Sequence, residues 1–218
     1  MNSVPILYED SEIYVINKPA GLSVQGGHGV THSLDNDFAA QTGNKVYLVH
    51  RLDKDTAGLM IVAKNPPAAS KWTKLIGSKA VKKEYLAVCA GKMQKKSGVI
   101  KESITQHGEE KSAVTYYTVE NQKTVQTEVE GFESITLSLL HLKLETGRMH
   151  QIRIHLAKNG CPIAGDDQHG NFKLNKALKK ALKIKALQLA SVRLTLPLDG
   201  GEKTFEIELP LHMTGSVH

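Results

Sequence analysis

Apolar residues along the chain recur mainly in short runs of strand length, and polar turns separate these runs. The predicted strands cover residues 12–17, 46–49, 59–63, 83–90, 112–119, 134–144, 187–196 and 204–209. The predicted helices cover residues 33–42, 66–77, 148–158 and 173–185. Many strands with few helices, mostly in hairpins, predict an α+β fold with a mixed, largely antiparallel β-sheet.

No repeat, low-complexity tract or linker interrupts this pattern, so residues 1–218 are predicted to form a single domain. The N-terminus lacks the basic and apolar regions of a signal peptide, and no window approaches the ~18 uninterrupted apolar residues of a membrane span. The two cysteines, Cys89 and Cys161, are not arranged as a CxxC pair, which gives no indication of a zinc or redox site. We therefore expect a cytoplasmic protein without a membrane partner.

The charge balance adds only a weak indication. Lys plus Arg number 28 and Asp plus Glu number 22, so the net charge is +6. This excess fits a polyanionic partner such as nucleic acid, but many proteins without such a partner have a similar charge.

The most conspicuous polar segment is His50-Arg-Leu-Asp-Lys-Asp-Thr-Ala-Gly58, which stands between two apolar strands. A carboxylate in such a loop is held by a rigid scaffold and remains reachable, so Asp53 is a candidate catalytic group. The ordinary alternative is that Asp53 caps a turn, as Asp55 or Thr56 could also do.

A second polar group lies in the predicted helix near residue 150. Two arginines, two histidines and a glutamine occur within eight residues: Arg148, His150, Gln151, Arg153 and His155. Either this is a solvated basic face, or the helix presents a guanidinium to a carboxylate or phosphate. The composition favours neither interpretation.

Two further features are ordinary when taken alone. Tyr85 begins an apolar strand after a basic patch, and a tyrosine in that position usually packs half-buried. The predicted helix at 173–185 holds six lysines. A solvated face is the first interpretation of these lysines, contact with RNA phosphates the second and a membrane surface the third.

Several motifs together resemble the RluA family of RNA pseudouridine synthases, and their order covers nearly the whole chain. They are Asn17-Lys-Pro-Ala-Gly21, the segment 50–58, Lys83-Glu-Tyr-Leu-Ala-Val88, Thr146-Gly-Arg-Met-His-Gln-Ile-Arg-Ile-His155 and Pro162-Ile-Ala-Gly-Asp166. The resemblance implies a mixed β-sheet with a central catalytic cleft, flanked by helices and loops. It also implies that the small RNA-binding module which many relatives carry in front is absent.

The resemblance also implies roles for single residues. Asp53 is similar to the catalytic aspartate, and Arg51 to the arginine that fills the stack when the target nucleotide is flipped out. Tyr85 is similar to the tyrosine that stacks on the base and is a candidate for removing the C5 proton, and Arg153 to the arginine that pairs with the catalytic carboxylate. Four further residues are expected to contact the substrate: His50, Arg148, His150 and Gln151.

The chemistry agrees with these expected roles. The target base must be flipped out of structured RNA, and Arg51 can offset part of that cost by stacking and phosphate contact. An ionised carboxylate can attack C1′ or abstract a ribose proton, and the sequence does not decide between these routes. Neither route involves redox chemistry or hydrolysis, so we expect no metal and no cofactor.

Two positions depart from the family pattern. Relatives usually carry Ser where Ala57 stands, and many carry His or Gln where Ala190 stands. Neither position belongs to the predicted catalytic set, so these departures put fine positioning in doubt, and not activity.

The expected partner is RNA, without an obligate protein partner, and we expect a monomer. The segment 165–175 resembles the large-subunit ribosomal RNA branch, so 23S rRNA is the first expected substrate and tRNA the alternative. A non-catalytic RNA-binding relative is a second class, although Asp53, Tyr85 and Arg153 are all present. A glycosidase would need a second acid, for which Asp55 is the nearest candidate in sequence.

Overall fold

The computed structural model of the protein describes residues 3–27 and 31–214. Its strands are β1 (Ile6–Glu9), β2 (Ile13–Lys18), β3 (Tyr47–Leu48), β4 (Ala57–Ala63), β5 (Lys82–Ala90), β6 (Ser97–Lys101), β7 (Ile104–Gln106), β8 (Glu109–Lys111), β9 (Val114–Gln126), β10 (Ser134–Leu144), β11 (Leu189–Leu198) and β12 (Gly201–Glu206). Its helices are α1 (Leu34–Thr42), α2 (Pro66–Gly77), α3 (Gln151–Lys158), α4 (Phe172–Leu182) and α5 (Leu211–Thr214).

The chain forms two compact units. The first comprises Met1–Lys83 with Ala190–Glu208, and the second comprises Glu84–Leu189 with Leu209–His218. In the first unit the strand order is β1-β2-β4-β11, with β3 paired to β4 and β12 paired to β11. In the second unit the order is β5-β10-β9-β6, and β7 and β8 form a separate hairpin.

The pairing of strands is mostly antiparallel. β4 and β11 run parallel, with Ala57 opposite Ala190 and Gly58 opposite Ser191. The other pairings within the two units are antiparallel. The mixed, largely antiparallel pairing together with a few helices confirms the predicted α+β class.

The core of the first unit forms around β4 and α2. All seven residues of β4 are buried, as expected for a strand that is covered on both faces. α2 begins after Asn65, whose side chain accepts from the Ala68 backbone N–H at 2.9 Å. This helix buries Trp72, and the indole Nε1 donates to Glu12 at 3.1 Å. The apolar scaffold on which the 50–58 loop rests is therefore tightly packed.

Gly58 requires the absence of a side chain where the loop enters β4. Its φ is +111°, and a Cβ placed there would lie 2.1 Å from the Ser191 carbonyl oxygen. Such a distance is far below van der Waals contact, so β4 and β11 can pair at this point only because residue 58 is glycine.

Several predicted elements differ from the observed ones at their ends. The predicted helix 148–158 begins only at Gln151, because His150 has a φ of +54° and cannot belong to a right-handed helix. The predicted helix 173–185 ends at Leu182, because Lys183 has a φ of +58°. The predicted helix 33–42 begins at Leu34, and Ser33 is its N-cap residue, although the Ser33 side chain makes no capping hydrogen bond.

Candidate active site

Asp53 lies in the loop between β3 and β4. Its neighbours Leu52 and Thr56 are buried, whereas Asp53 itself is partly exposed. The Thr56 backbone N–H donates to the Asp53 carbonyl oxygen at 3.1 Å and closes a turn. Buried residues on both sides thus fix the backbone of a carboxylate that solvent can reach.

A buried lysine holds this loop from the first unit. Lys18 is fully buried, and its Nζ donates to the carbonyl oxygens of Pro19, Leu22 and Lys54, each at 2.9 Å. Burial lowers the pKa of Lys18 to about 8, against the opposing influence of Asp55 and then of Asp53. Because Lys54 follows Asp53 directly, the ammonium ties the turn after β2 to the loop of the candidate catalytic residue.

The two residues that precede Leu52 differ in their surroundings. His50 accepts a hydrogen bond from the Ile61 backbone N–H at its Nε2, at 2.9 Å. Burial, with a smaller contribution from Lys83, lowers the pKa of His50 to about 3, so the ring is neutral and supports β4. Arg51 is exposed, and within residues 3–27 and 31–214 no hydrogen bond or ion pair involves its guanidinium. Arg51 is thus free to contact a ligand, whereas contact of His50 with substrate stays a prediction.

In the second unit, Arg153 forms a buried, two-pronged ion pair with Asp166. Its Nε and Nη2 each donate to one carboxylate oxygen of Asp166 at 2.8 Å, and Nη2 also donates to the Gln168 side chain at 3.1 Å. The two side chains are 8% and 1% exposed. Sequence patterns did not predict Asp166 as a partner of this arginine, and the pairing of Arg153 with Asp53 stays a prediction.

The Asp166 carboxylate has further donors. The backbone N–H groups of Gln168 and His169 both donate to its Oδ1 at 3.0 Å. Burial alone would raise the pKa of Asp166, but the hydrogen bonds from Arg153 and from these backbone groups outweigh it and hold that pKa below its ordinary value. Asp166 is therefore ionised at neutral pH and fixes the orientation of the Arg153 guanidinium.

Gln151 organises the loop before α3. Its amide oxygen accepts from the Thr146 hydroxyl at 2.7 Å and from the Arg148 backbone N–H at 3.0 Å. Its amide nitrogen donates to the Val114 carbonyl and the Thr115 hydroxyl, both at 3.0 Å. These four bonds use the whole hydrogen-bonding capacity of the amide, which favours a structural role over the predicted contact with substrate.

His150 and Arg148 lie at the exposed end of the same loop. The Nδ1 of His150 and the Nε2 of His169 are 2.8 Å apart, so one ring donates to the other. Arg148 is exposed, and its Nε donates to the Ser112 carbonyl at 3.2 Å. Most N–H donors of the two terminal guanidinium nitrogens of Arg148 therefore remain available to a ligand. His169 is a residue of this cluster that the sequence patterns did not single out.

Tyr85 is buried in β5, opposite Leu142 of β10. It belongs to the second unit, as Arg153 does, whereas Asp53 belongs to the first. The convergence of these three side chains around one substrate stays a prediction.

The described residues contain neither a candidate metal cluster nor a helix that could span a membrane. In residues 3–27 and 31–214 no cluster of three or more His, Cys, Asp or Glu side chains could hold a metal ion. No helix in the same ranges is long and apolar enough to cross a membrane.

The first comparison with known proteins concerns the family. A family model described as RNA pseudouridylate synthase matches residues 12–158, which is more than half of the chain. The chain belongs to the RNA pseudouridylate synthase family. It is accordingly an RNA-modifying isomerase, as the motifs predicted.

Curated relatives in this family match almost the whole chain. Ribosomal large subunit pseudouridine synthase C of Rickettsia bellii is 37% identical over 209 residues, which cover 94% of this chain and 68% of the relative. Ribosomal large subunit pseudouridine synthase D of Nitrosomonas europaea is 38% identical over 215 residues, which cover 94% of this chain and 62% of the relative.

Solved structures of pseudouridylate synthase domains share the fold. Human RNA Pseudouridylate Synthase Domain Containing 4 superposes with a TM-score of 0.74 at 25% identity, covering 97% of this chain and 90% of that chain. Human RNA Pseudouridylate Synthase Domain Containing 1 gives a TM-score of 0.75 at 21% identity, covering 94% and 83%. The architecture is therefore that of a pseudouridine synthase.

The two departures from the pseudouridine synthase pattern are neighbours in the structure. Ala57 and Ala190 face each other across the parallel pair β4 and β11, and both are buried. The next residue, Ser191, carries a buried hydroxyl without a hydrogen-bond partner among the described residues. Ala57 and Ala190 therefore form a small apolar contact between β4 and β11.

Lys18 gives a first prediction for this pseudouridine synthase. Replacing Lys18 by methionine removes the ammonium donor from three carbonyl oxygens, of which only that of Lys54 keeps another donor among the described residues, the Gly21 backbone N–H at 2.9 Å. We therefore expect the free energy of unfolding to fall by about 3 kcal/mol. We also expect turnover to fall, because the Asp53 loop loses its anchor. Urea unfolding and release of tritium from C5-labelled uridine in RNA measure the two effects.

The matched control is Lys54→Met. This change removes an exposed ammonium from the same loop and keeps the carbonyl that Lys18 binds. Equal stability losses in both variants would contradict the anchoring role of Lys18.

Proposed function

We propose that the chain isomerises uridine to pseudouridine in large-subunit ribosomal RNA, with Asp53 as its catalytic carboxylate. The observation that carries the proposal is the family match over residues 12–158, which includes Asp53, Tyr85 and Arg153. The choice of RNA is supported by the relatives, since those from Rickettsia bellii and Nitrosomonas europaea are named as ribosomal large subunit enzymes.

The reaction needs a single reactive carboxylate. The bond between N1 and C1′ breaks, the uracil turns, and a bond forms between C5 and C1′, after which C5 loses its proton and N1 carries one. An ionised Asp53 starts this sequence either by attacking C1′ or by taking a ribose proton. Both routes conserve the atoms of the nucleotide, so the chain needs no redox partner.

The other residues act on the substrate around this carboxylate. Arg51 is exposed and without a protein partner in the described ranges, which suits an arginine that replaces the flipped nucleotide in the RNA stack. Tyr85 stacks on the uracil, and its phenol oxygen takes up the C5 proton while it releases its own hydroxyl proton to solvent. Arg153, oriented by Asp166, pairs with Asp53 through a charge-assisted hydrogen bond. Arg148 and His150 contact the RNA backbone beside the site.

The chain acts as one catalytic domain and as a monomer in the cytoplasm, without an obligate protein partner. Its match to the family model begins in the first unit and extends far into the second, which supports treating both units as one functional domain. RNA is its only required macromolecular partner in this proposal.

Mapping pseudouridines after deletion of the gene tests the choice of substrate. We expect at least one pseudouridine of large-subunit rRNA to disappear, with the tRNA pattern unchanged. A plasmid that encodes the wild type should restore the site, whereas one that encodes Asp53→Asn should not.

Loss of a tRNA pseudouridine with an intact rRNA pattern would overturn the proposed substrate and favour the tRNA alternative. Restoration of the rRNA site by the Asp53→Asn chain would overturn the catalytic assignment.

A further inference from the structure

Phe172 is a large apolar side chain that the fold leaves in solvent. It is 80% exposed at the first position of α4. α4 packs on the second unit through Ala177 and Leu178, which are both buried, so burial of this helix does not require Phe172. A single exposed apolar side chain is ordinary on a protein surface, so the case for a ligand depends on what surrounds this ring.

The start of α4 is fixed to the turn that holds Asp166. The Asn175 side chain accepts from the Gly165 backbone N–H at 3.1 Å and donates to the Asp166 carbonyl at 2.8 Å. Asn171 caps the helix by accepting from the Leu174 backbone N–H at 3.1 Å. These bonds fix the backbone on both sides of Phe172, which lies six residues after the partner of Arg153.

The connection between them has no room for a larger residue. A Cβ at Gly170 would lie 2.3 Å from the Asp166 carbonyl oxygen, whose partner is the Gly170 backbone N–H at 3.0 Å. The turn and the helix therefore form one stiff support for the exposed ring.

α4 and the residues after it also form a basic surface. Its six lysines are all exposed, and in the described part of the chain none has a carboxylate partner. They are Lys173, Lys176, Lys179, Lys180, Lys183 and Lys185.

The lysines at the start of β5 are different. Lys82 is paired with Glu202 at 2.8 Å, and burial lowers the pKa of Lys83. The unpaired positive charge of α4 is therefore the better match for a phosphate backbone.

We propose that Phe172 stacks on an unpaired base of the substrate RNA, while the α4 lysines bind phosphates of the same strand. The proposal rests on RNA being the substrate and adds a recognition surface beside the site of Arg153 and Asp166. An exposed aromatic ring next to a row of cations is the arrangement with which proteins hold single-stranded RNA. A flipped uridine requires a locally opened strand, which provides such a base.

A protein partner fits this surface less well. A stable protein interface buries about 800 Å² on each side and has few charges at its centre, whereas this surface offers one apolar ring beside six lysines, four of them in α4. The net charge of +6 likewise opposes pairing of two copies through this face.

The first test compares side chains at position 172 in full-length protein. Binding is measured to a single-stranded RNA of about 20 nucleotides and to a duplex of the same sequence. Phe172→Leu should weaken binding to the single strand by about 5- to 100-fold and leave duplex binding unchanged, because leucine is apolar but cannot stack on a base. Phe172→Tyr should keep wild-type affinity. Leu211→Ala, which truncates an exposed side chain (91%) on another helix, is the control and should have no effect.

The second test separates stacking from charge. Lys173→Gln/Lys176→Gln/Lys180→Gln should reduce the slope of log affinity against log salt by about 2, since each phosphate contact on a single strand contributes ~0.7. Phe172→Leu should leave that slope unchanged. An unchanged slope in the lysine variant would overturn the phosphate contacts.

Wild-type affinity of Phe172→Leu for the single strand would overturn the stacking role. The binding results do not depend on which RNA the chain modifies. A wild type that failed to modify large-subunit rRNA would remove the proposed substrate, whereas the comparison on the two model RNAs would still decide the role of Phe172.

Discussion

Asp53→Asn is expected to reduce the release of tritium from C5-labelled uridine in RNA by about 10⁴-fold or more, because the amide can neither attack C1′ nor accept a ribose proton. The fold should persist, since Asp53 is partly exposed and its neighbours Leu52 and Thr56 carry the packing of the loop. Urea unfolding of the variant, measured beside the tritium assay, checks this.

Asp55→Asn is the matched control for this prediction. It makes the same chemical change two residues away, at an exposed position of the same loop. We expect Asp55→Asn to retain activity within a few-fold of the wild type. Equal loss in both variants would indicate a general effect of loop charge and would contradict the assignment of Asp53.

Arg153→Met is expected to lower the free energy of unfolding by about 3–5 kcal/mol, because it leaves the buried Asp166 carboxylate without its charged partner. Arg153→Met/Asp166→Leu should recover part of that loss, since no uncompensated charge then remains in the interior. Urea unfolding of the two single variants and the double variant forms a double-mutant cycle that measures the coupling of the pair.

The pH dependence of the Arg153→Met variant follows from the same pair. In the wild type the pKa of Asp166 is below its ordinary value, so its stabilising contribution is present at neutral pH and is lost only as the pH falls through that lowered pKa. Without Arg153, burial raises the pKa of this carboxyl, and the folded state then binds a proton more tightly than the unfolded state. The destabilisation should therefore be larger at pH 7 than at pH 4.5, and a difference that does not change with pH would contradict this account.

Local patterns predicted the regular elements well where their signals lie within the element itself. The bounds of α2 follow from Asn65, the prolines after it and Gly77, and β10 follows from a long run of strand-forming residues. The beginning of α3 was wrong by three residues, because the backbone of His150 turns left-handed where the chain makes bonds to distant segments. Residue type does not encode such a turn when the residue is not glycine.

Motifs in the sequence mark individual residues of the candidate site, but they do not show which other residues hold these in place. Asp53 and Arg153 stand in conspicuous polar segments. Lys18 and Asp166 also stand in family motifs, but the sequence does not show that Lys18 binds the loop of Asp53 or that Asp166 binds Arg153. Lys18 looks like an ordinary turn lysine, and its hydrogen bond to the Lys54 carbonyl joins segments 36 residues apart. Asp166 lies 13 residues after Arg153, a spacing that no single helix or strand explains.

We propose that Asp53 acts at C1′ of a uridine flipped out of the RNA, with Tyr85 and Arg153 beside it. The decisive measurement is a crystal structure of the chain with RNA that carries 5-fluorouridine at the target position, since C5 then has no proton to lose. We expect the Asp53 carboxylate about 3–3.5 Å from C1′ or its ribose, Arg153 bonded to that carboxylate and Tyr85 against the base. A target uridine that remains stacked in the RNA, or an Asp53 side chain directed away from the ribose, would contradict the account.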